Sequence, residues 1–255
     1  MEKILTNGFE TPYVICSNKK HGELLSKNQS VIVLRDVSLI KVAVSILKED
    51  VSIYYPDFEE KYPEVIEYFS NPSTEAAYDA VVTPSDVLGI ADKISIPNQV
   101  VDKLNQFTSD SNLIPKECIH KHHQSNVLIS ECYTEVPNVF FMRGYRRLTE
   151  IQLDHTAGDH MESMILTEIF GQACIAASEK EIGKQEYFIP IQDTKIYRRF
   201  INKNDPLLVQ VLTHKSRKSE GFCVVTFWQN NKCCLKGFLV GKIYSADKRD
   251  TLVAQ

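Results

Sequence analysis

Glu168 and Gln172 stand four residues apart, and Met164 precedes Glu168 by four, so on a helix the three share one face. A carboxylate beside an apolar stripe must be paired, protonated or used, and its natural chemistry is proton transfer. The plain alternative is a solvated Glu at the rim of an amphipathic helix. His155 and His160 precede Glu168 in the same stretch. His160, next to Asp159, could instead help satisfy the free N–H groups of a helix start. Further upstream, His120, His122 and His123 lie close to Cys118 and raise the question of a metal. No thiol or carboxylate pair completes a closed set of four at a recognised spacing, so no metal site is expected. Basic residues gather at Arg143, Arg146 and Arg147 and again at Lys195, Arg198 and Arg199. Arg suits bidentate phosphate contact, but solvated charge on strand ends and turns is the better account of any one of them, and only as a set do they point to a phosphate or an acidic carrier protein.

The stretch Gly158–Ser178 must position these groups. Asp159 reads as an N-cap with Glu162 three residues on, and the polar cluster Glu179-Lys180-Glu181 reads as the stop. Met161, Met164, Ile165, Ile169, Ala173 and Ala176 recur at helical spacing and predict an apolar stripe. Cys174, among apolar neighbours, reads as a small core residue. Ahead of this helix, Val127–Ser130, Val139–Arg143 and Leu148–Leu153 read as strands. Behind it come Tyr187–Tyr197, Leu207–Thr213, Phe222–Gln229 and Cys233–Tyr244, with Asn230-Asn231 suited to a hairpin turn.

Residues 1 to about 108 follow another rhythm. Strand candidates Tyr13–Cys16, Ser30–Leu34, Val51–Tyr55 and Asp79–Thr83 alternate with helical patterns after Asp36, over Phe58–Phe69 and over Ile96–Phe107. That alternation predicts a small α/β domain over residues 1–110. No Gly-rich phosphate loop follows any of its strands. Thr108–Pro115 reads as a linker, and a second domain is expected over residues 118–245.

Within that second domain, Asp159-His160, Met164, Leu166, Glu168 and Gln172 match the "DH…M-x-L-x-E-x-x-x-Q" pattern of the A-factor synthase family of hot-dog proteins. Upstream, Ile119-His120-Lys121 and Asn126-Val127-Leu128-Ile129 resemble its "VHK…NVLL" strand, and the match departs at Gly171, where the family usually has Arg. The resemblance, over roughly residues 118–245, implies a hot-dog fold, in which an antiparallel sheet wraps a long central helix; with the small α/β domain read from the alternation ahead of it, an α+β chain is expected. It also implies transfer of a β-ketoacyl group from acyl carrier protein or acyl-CoA to the hydroxyl of a small phosphorylated triose, in γ-butyrolactone or butenolide signal synthesis. By analogy with related hot-dog enzymes, Glu168 is then the general base, Gln172 its hydrogen-bond partner and His160 a catalytic companion. Asp159, His155, Arg143, Arg146 and Met164 become substrate-binding residues, and no cofactor is implied beyond the phosphopantetheine that carries the acyl group. The helix is similar, more distantly, to the "E-A-x-x-Q" helix of β-hydroxyacyl-carrier-protein dehydratases. The loop His155-Thr156-Ala157-Gly158 lacks their H-F-P-G sequence. Hydrolysis, dehydration and binding without turnover stay open beside acyl transfer. Family members usually carry two hot-dog units and this chain has room for one, so a homodimer is expected.

The whole chain of 255 residues carries a net charge of −4, with 43% hydrophobic and 24% charged residues. That balance can bury a sizeable core and offers no basic face for nucleic acid. No apolar run approaches bilayer length, the N-terminus lacks the apolar core of a secretion signal, and the seven cysteines show no framework spacing. A cytoplasmic protein with reduced thiols is expected.

Overall fold

The computed structural model describes residues 5–6, 11–18, 29–59, 61–70, 82–108, 112–147, 160–183, 186–215 and 219–245. The chain divides into two compact units, Met1–Gln99 and Val100–Gln255. In the first unit, β1 (Leu5–Thr6), β2 (Tyr13–Cys16), β3 (Ser30–Val33) and β4 (Val51–Tyr54) form a parallel sheet in the order β1-β4-β2-β3. All four residues of β2 are buried, as a strand covered on both faces requires. Helix α1 (Val37–Leu47) supplies the crossover from β3 to β4 and starts where expected, with Asp36 Oδ1 accepting from the N–H groups of Ser38 and Leu39. Helix α2 (Pro63–Ser70) begins later than the pattern from Phe58 predicts, because Pro63 fits a first turn and residues 55–57 form a 3₁₀ turn.

The strand expected over Asp79–Thr83 is corrected where it can be seen. Residues 79–81 lie outside the described ones, and Thr83 caps helix α3 (Pro84–Ala91) instead of extending a strand. Asp86 N–H donates to Thr83 Oγ1 and Thr83 N–H to Asp86 Oδ2, a reciprocal capping box. Helix α4 (Asn98–Asn105) follows Pro97.

The second unit is an antiparallel sheet of β5 (Tyr133–Val136), β6 (Val139–Gly144), β7 (Glu186–Tyr197), β8 (Leu207–Lys215), β9 (Glu220–Gln229) and β10 (Lys232–Ser245). Their order is β5-β6-β8-β9-β10-β7. Asn230 and Asn231 both adopt positive φ, 49° and 59°, and turn β9 into β10 as a two-residue hairpin requires. Val127–Ser130 is not a continuous strand; among its backbone pairings are the isolated bridges Ile129 to Gly144 and Ser130 to Leu113 and the bond from Tyr145 N–H to Leu128 O. The strand expected over Leu148–Leu153 lies outside the described residues.

Against this sheet packs α5 (Ser163–Ile182), the long central helix of a hot-dog fold. Its first residue is Ser163, not Gly158, because Met161 N–H donates to Ile201 O and His160 bridges Asn202, which holds the chain extended up to Glu162. Asp159 lies outside the described residues. The cluster Glu179-Lys180-Glu181 belongs inside the helix, which stops at Gly183 with φ 84°. Ile169, Phe170, Ala173 and Ala177 are buried against Val209, Val211, Val225 and Phe227 of the sheet in one core cluster. Each large aliphatic or aromatic side chain so buried contributes about 1.5–3 kcal/mol. Gly237 permits the close packing at the β10–β7 seam: an added Cβ would collide with Thr194 O and stand 2.9 Å from Phe170 Cε2. Met164 departs from the expected stripe, since it is 56% exposed. Among the described residues, no helix is long and apolar enough to cross a membrane.

Candidate functional site

Met164, Glu168, Gln172 and Ala176 follow one line along α5, and burial rises along it. Met164 is exposed, Glu168 keeps 29% of its side chain accessible, and Gln172 and Ala176 are buried. The Gln172 amide is fully employed. Its Oε1 accepts from Leu128 N–H at 2.8 Å, and its Nε2 donates to Asn126 O at 2.7 Å and to Glu168 Oε1 at 2.9 Å. Glu168 Oε1 also receives Lys121 Nζ at 2.5 Å, while Oε2 has no partner among the described residues. One carboxylate oxygen is therefore fixed and the other is free to take a proton, which is the arrangement of an oriented general base.

Two turns further along, Glu179 Oε1 lies 2.5 Å from His120 Nε2, and the imidazole leans on the Tyr187 ring at 5.9 Å. His120 itself adopts the left-handed conformation, φ 56° and ψ 37°, at the end of the 3₁₀ turn Lys116–Ile119. Consecutive residues His120 and Lys121 thus reach two different carboxylates of α5, and Gln172 fastens the chain just beyond them. The two halves of the sequence pattern, His120-Lys121 with Asn126–Leu128 and Glu168 with Gln172, meet here.

Lys121 and Glu179 were not among the residues singled out for chemistry. Lys121 carried a signal, since it sits inside the upstream motif. Glu179 carried none, because its partner lies 59 residues away.

The other expected residues are scattered. His160 lies at the N-terminal end of α5 with its ring 5.4 Å from that of Phe200. With Met161, Met164, Leu166, Tyr197 and Phe200 it lines a cavity of about 650 Å³. Arg146 makes a bidentate pair with the buried Glu162 just before the helix, at 3.2 and 2.8 Å. Arg143 donates to the carbonyls of Leu104 and Asn105 at the end of α4, at 3.4 and 3.2 Å, and lies over the Tyr145 ring. His155 and Asp159 lie outside the described residues. Neither arginine reaches the Glu168 carboxylate in these hydrogen bonds.

A second cavity, about 1040 Å³, runs beside the later half of α5 past His120, Lys121, Ala176 and Glu179. Cys132 borders it, but burial pushes that thiol up to about 12, too high for a nucleophile at neutral pH. Gly171, which stands where the similar family has Arg, has nothing within 4 Å of an added Cβ. Its absent side chain therefore leaves open space rather than a filled gap. Among the described residues, no group of three or more His, Cys, Asp or Glu side chains could hold a metal ion.

A family model described as the A-factor biosynthesis hotdog domain matches residues 103–240. Among solved structures the chain is similar to AziG of S. sahachiroi, at 9% identity and TM-score 0.38, over 45% of this chain and 90% of that one. It is similar to a thioesterase of Haemophilus influenzae at 9% identity and TM-score 0.40, over 56% of this chain and 90% of that one. A hypothetical thioesterase protein of Streptococcus pneumoniae, solved with coenzyme A, is similar at 11% identity and TM-score 0.37, over 45% and 85% of the two chains. No curated protein matches the sequence.

Proposed function

The chain belongs to the A-factor biosynthesis hotdog domain family, and from that premise we propose that it is an acyl-thioester enzyme working at Glu168. The reaction is transfer of a β-ketoacyl group from acyl carrier protein or acyl-CoA to the hydroxyl of a small acceptor such as dihydroxyacetone phosphate. The observation that carries this reading is the Glu168 carboxylate, anchored through Oε1 by Gln172 and Lys121 with Oε2 unengaged among the described residues. Oε2 takes the hydroxyl proton as the oxygen attacks the thioester carbonyl. The C–O bond forms, the C–S bond breaks, and the proton returns to the departing thiolate. The apolar cavity at the start of α5, around Met164 and Phe200, suits the acyl chain. Product analysis with β-ketoacyl carrier protein, with and without dihydroxyacetone phosphate, tests the reaction. An acyl ester is expected only when the acceptor is present. Free acid in both samples would make the protein a hydrolase, and a 2,3-unsaturated product from a 3-hydroxyacyl substrate would make it a dehydratase.

The same reading includes a second copy of the chain. Among the described residues β7 pairs with β10 alone; it runs for 12 residues and exposes Ile191, Ile196 and Tyr197. Long apolar edges invite strand pairing and are normally covered. A homodimer across β7 should therefore be found by light scattering at micromolar concentration, and Ile191→Lys should shift it toward monomer. A parent protein that is already monomeric would rule the dimer out.

A further inference from the structure

The turn that brings Lys121 to Glu168 ends on a strained residue. Lys121 N–H donates to Lys116 O at 2.9 Å and His120 N–H to Glu117 O at 3.5 Å, the paired bonds that close a helical turn on a left-handed position. His120 occupies that position, with φ 56° and ψ 37°. Glycine takes this conformation freely, whereas any side chain crowds the backbone there. Strain of this kind persists only where the surroundings enforce it, and it points toward function. Here they hold the imidazole. Nε2–H donates to Glu179 Oε1 at 2.5 Å, and the ring leans on that of Tyr187.

Lys121 comes next in the chain, so the His120 backbone sets where its side chain points. Its ammonium pairs with Glu168 Oε1 at 2.5 Å and has no other hydrogen bond or ion pair among the described residues. Glu179 follows Glu168 by eleven residues, about 16 Å along α5 and on the same face. Both carboxylates are partly in water, and salt screens charges so far apart. Any influence of Glu179 on Glu168 therefore passes through the chain, from His120 to Lys121. The turn itself does not depend on Glu179. Ile119 is buried in the core, and Gln124 accepts from Lys116 N–H while its Nε2 donates to Ile114 O. What Glu179 holds is the ring.

We infer that Glu179 is a positioning residue of the Glu168 site: through the His120 ring it keeps the left-handed backbone in place, and that backbone aims Lys121 at Glu168 Oε1. The inference rests on the acyl-thioester reading above and extends its site three turns along α5. With Lys121 released, Gln172 alone holds the carboxylate, and Oε2 loses its fixed direction.

Two measurements on the full chain test it. The first needs no substrate: acetic anhydride modifies the lysines, and mass spectrometry follows the rate at Lys121. In Glu179→Ala, a change that favours the helix, this rate should rise roughly fivefold, as release of a partly exposed ion pair allows. Lys195, with 15% of its side chain exposed, reports general loosening and should react as in the parent. Glu179→Gln should also leave Lys121 as in the parent, because the amide oxygen still accepts from Nε2–H. The second measurement is acyl transfer from β-ketoacyl carrier protein to dihydroxyacetone phosphate. Glu179→Ala and Lys121→Met should each lower kcat roughly tenfold, and the double variant no further than Lys121→Met alone. Parent-like labelling of Lys121 in Glu179→Ala, or losses that multiply in the double variant, overturns the positioning role. A parent without acyl transfer overturns the reading of Glu168 as the base, and the labelling then decides by itself whether Glu179 holds Lys121.

Discussion

Glu168→Gln should fold almost as stably as the parent and lose acyl transfer by roughly a hundredfold or more, the usual contribution of a general base. The two halves of this expectation come from different contacts. A glutamine at this position can still accept from Gln172 Nε2, so the hydrogen bond of 2.9 Å survives. What disappears is the charge facing Lys121, and both side chains keep about 30% of their surface in water. Pairs so exposed contribute only about 0–1 kcal/mol, and the melting temperature should move by a few degrees at most. The amide cannot take a proton from the acceptor hydroxyl, which removes about 2.7 kcal/mol of transition-state stabilisation for a hundredfold loss. Melting temperature and turnover measured on one preparation separate the alternatives. Unchanged turnover would sink the assignment of Glu168, and a parallel collapse of stability would make its role structural.

How far the sequence anticipates this arrangement depends on the range of the interaction involved. Local signals are legible. Asp36 caps α1, Asn230-Asn231 turns β9 into β10, and the strand runs of β8, β9 and β10 lie where β-branched and aromatic residues predict them. Thr83-Pro84-Ser85-Asp86 is equally local, yet the apolar run before it favours a strand reading, and the capping box reveals itself only in the bonds it makes. The start of α5 is another matter. Asp159 and Glu162 have the spacing of a capping box, but the chain stays extended to Glu162 because Ile201 and Asn202 engage Met161 and His160 from 40 or more residues away. Periodicity places Met164 on the helix face that carries Glu168 and says nothing about what covers it. Of the site, the spacing of Glu168 and Gln172 is visible in the sequence. Lys121 and Glu179 acquire meaning only when a segment 47 residues upstream of Glu168 folds back onto the helix.

Gln172 shows how strongly that fold-back is specified, and Gln172→Leu should be the most destabilising single change at the site. Leu fills the space of the buried side chain but makes no hydrogen bonds. Leu128 N–H, fully buried, loses its acceptor, and Asn126 O loses the donor at 2.7 Å. A buried group left unpaired costs about 1–3 kcal/mol, and Leu128 N–H is such a group, so the variant should lose about 1–3 kcal/mol of stability, with a smaller addition from the bond to half-buried Asn126. In urea the midpoint should fall while the dependence on denaturant stays the same, because the folded state buries the same surface. Activity should fall with it, since the clamp at Asn126 and Leu128 sets where Lys121 and His120 meet α5. Gln172→Glu supplies the control: a carboxylate can still accept from Leu128 N–H but cannot donate to Asn126 O, and it adds a like charge four residues from Glu168. It should retain one of the two backbone bonds at the expense of that repulsion. A Gln172→Leu protein with an unshifted midpoint would mean that residues 126–128 are held by something other than this amide. The contrast with Glu168→Gln would then be lost, and with it the division between a carboxylate that does the chemistry and an amide that holds the chain in place for it.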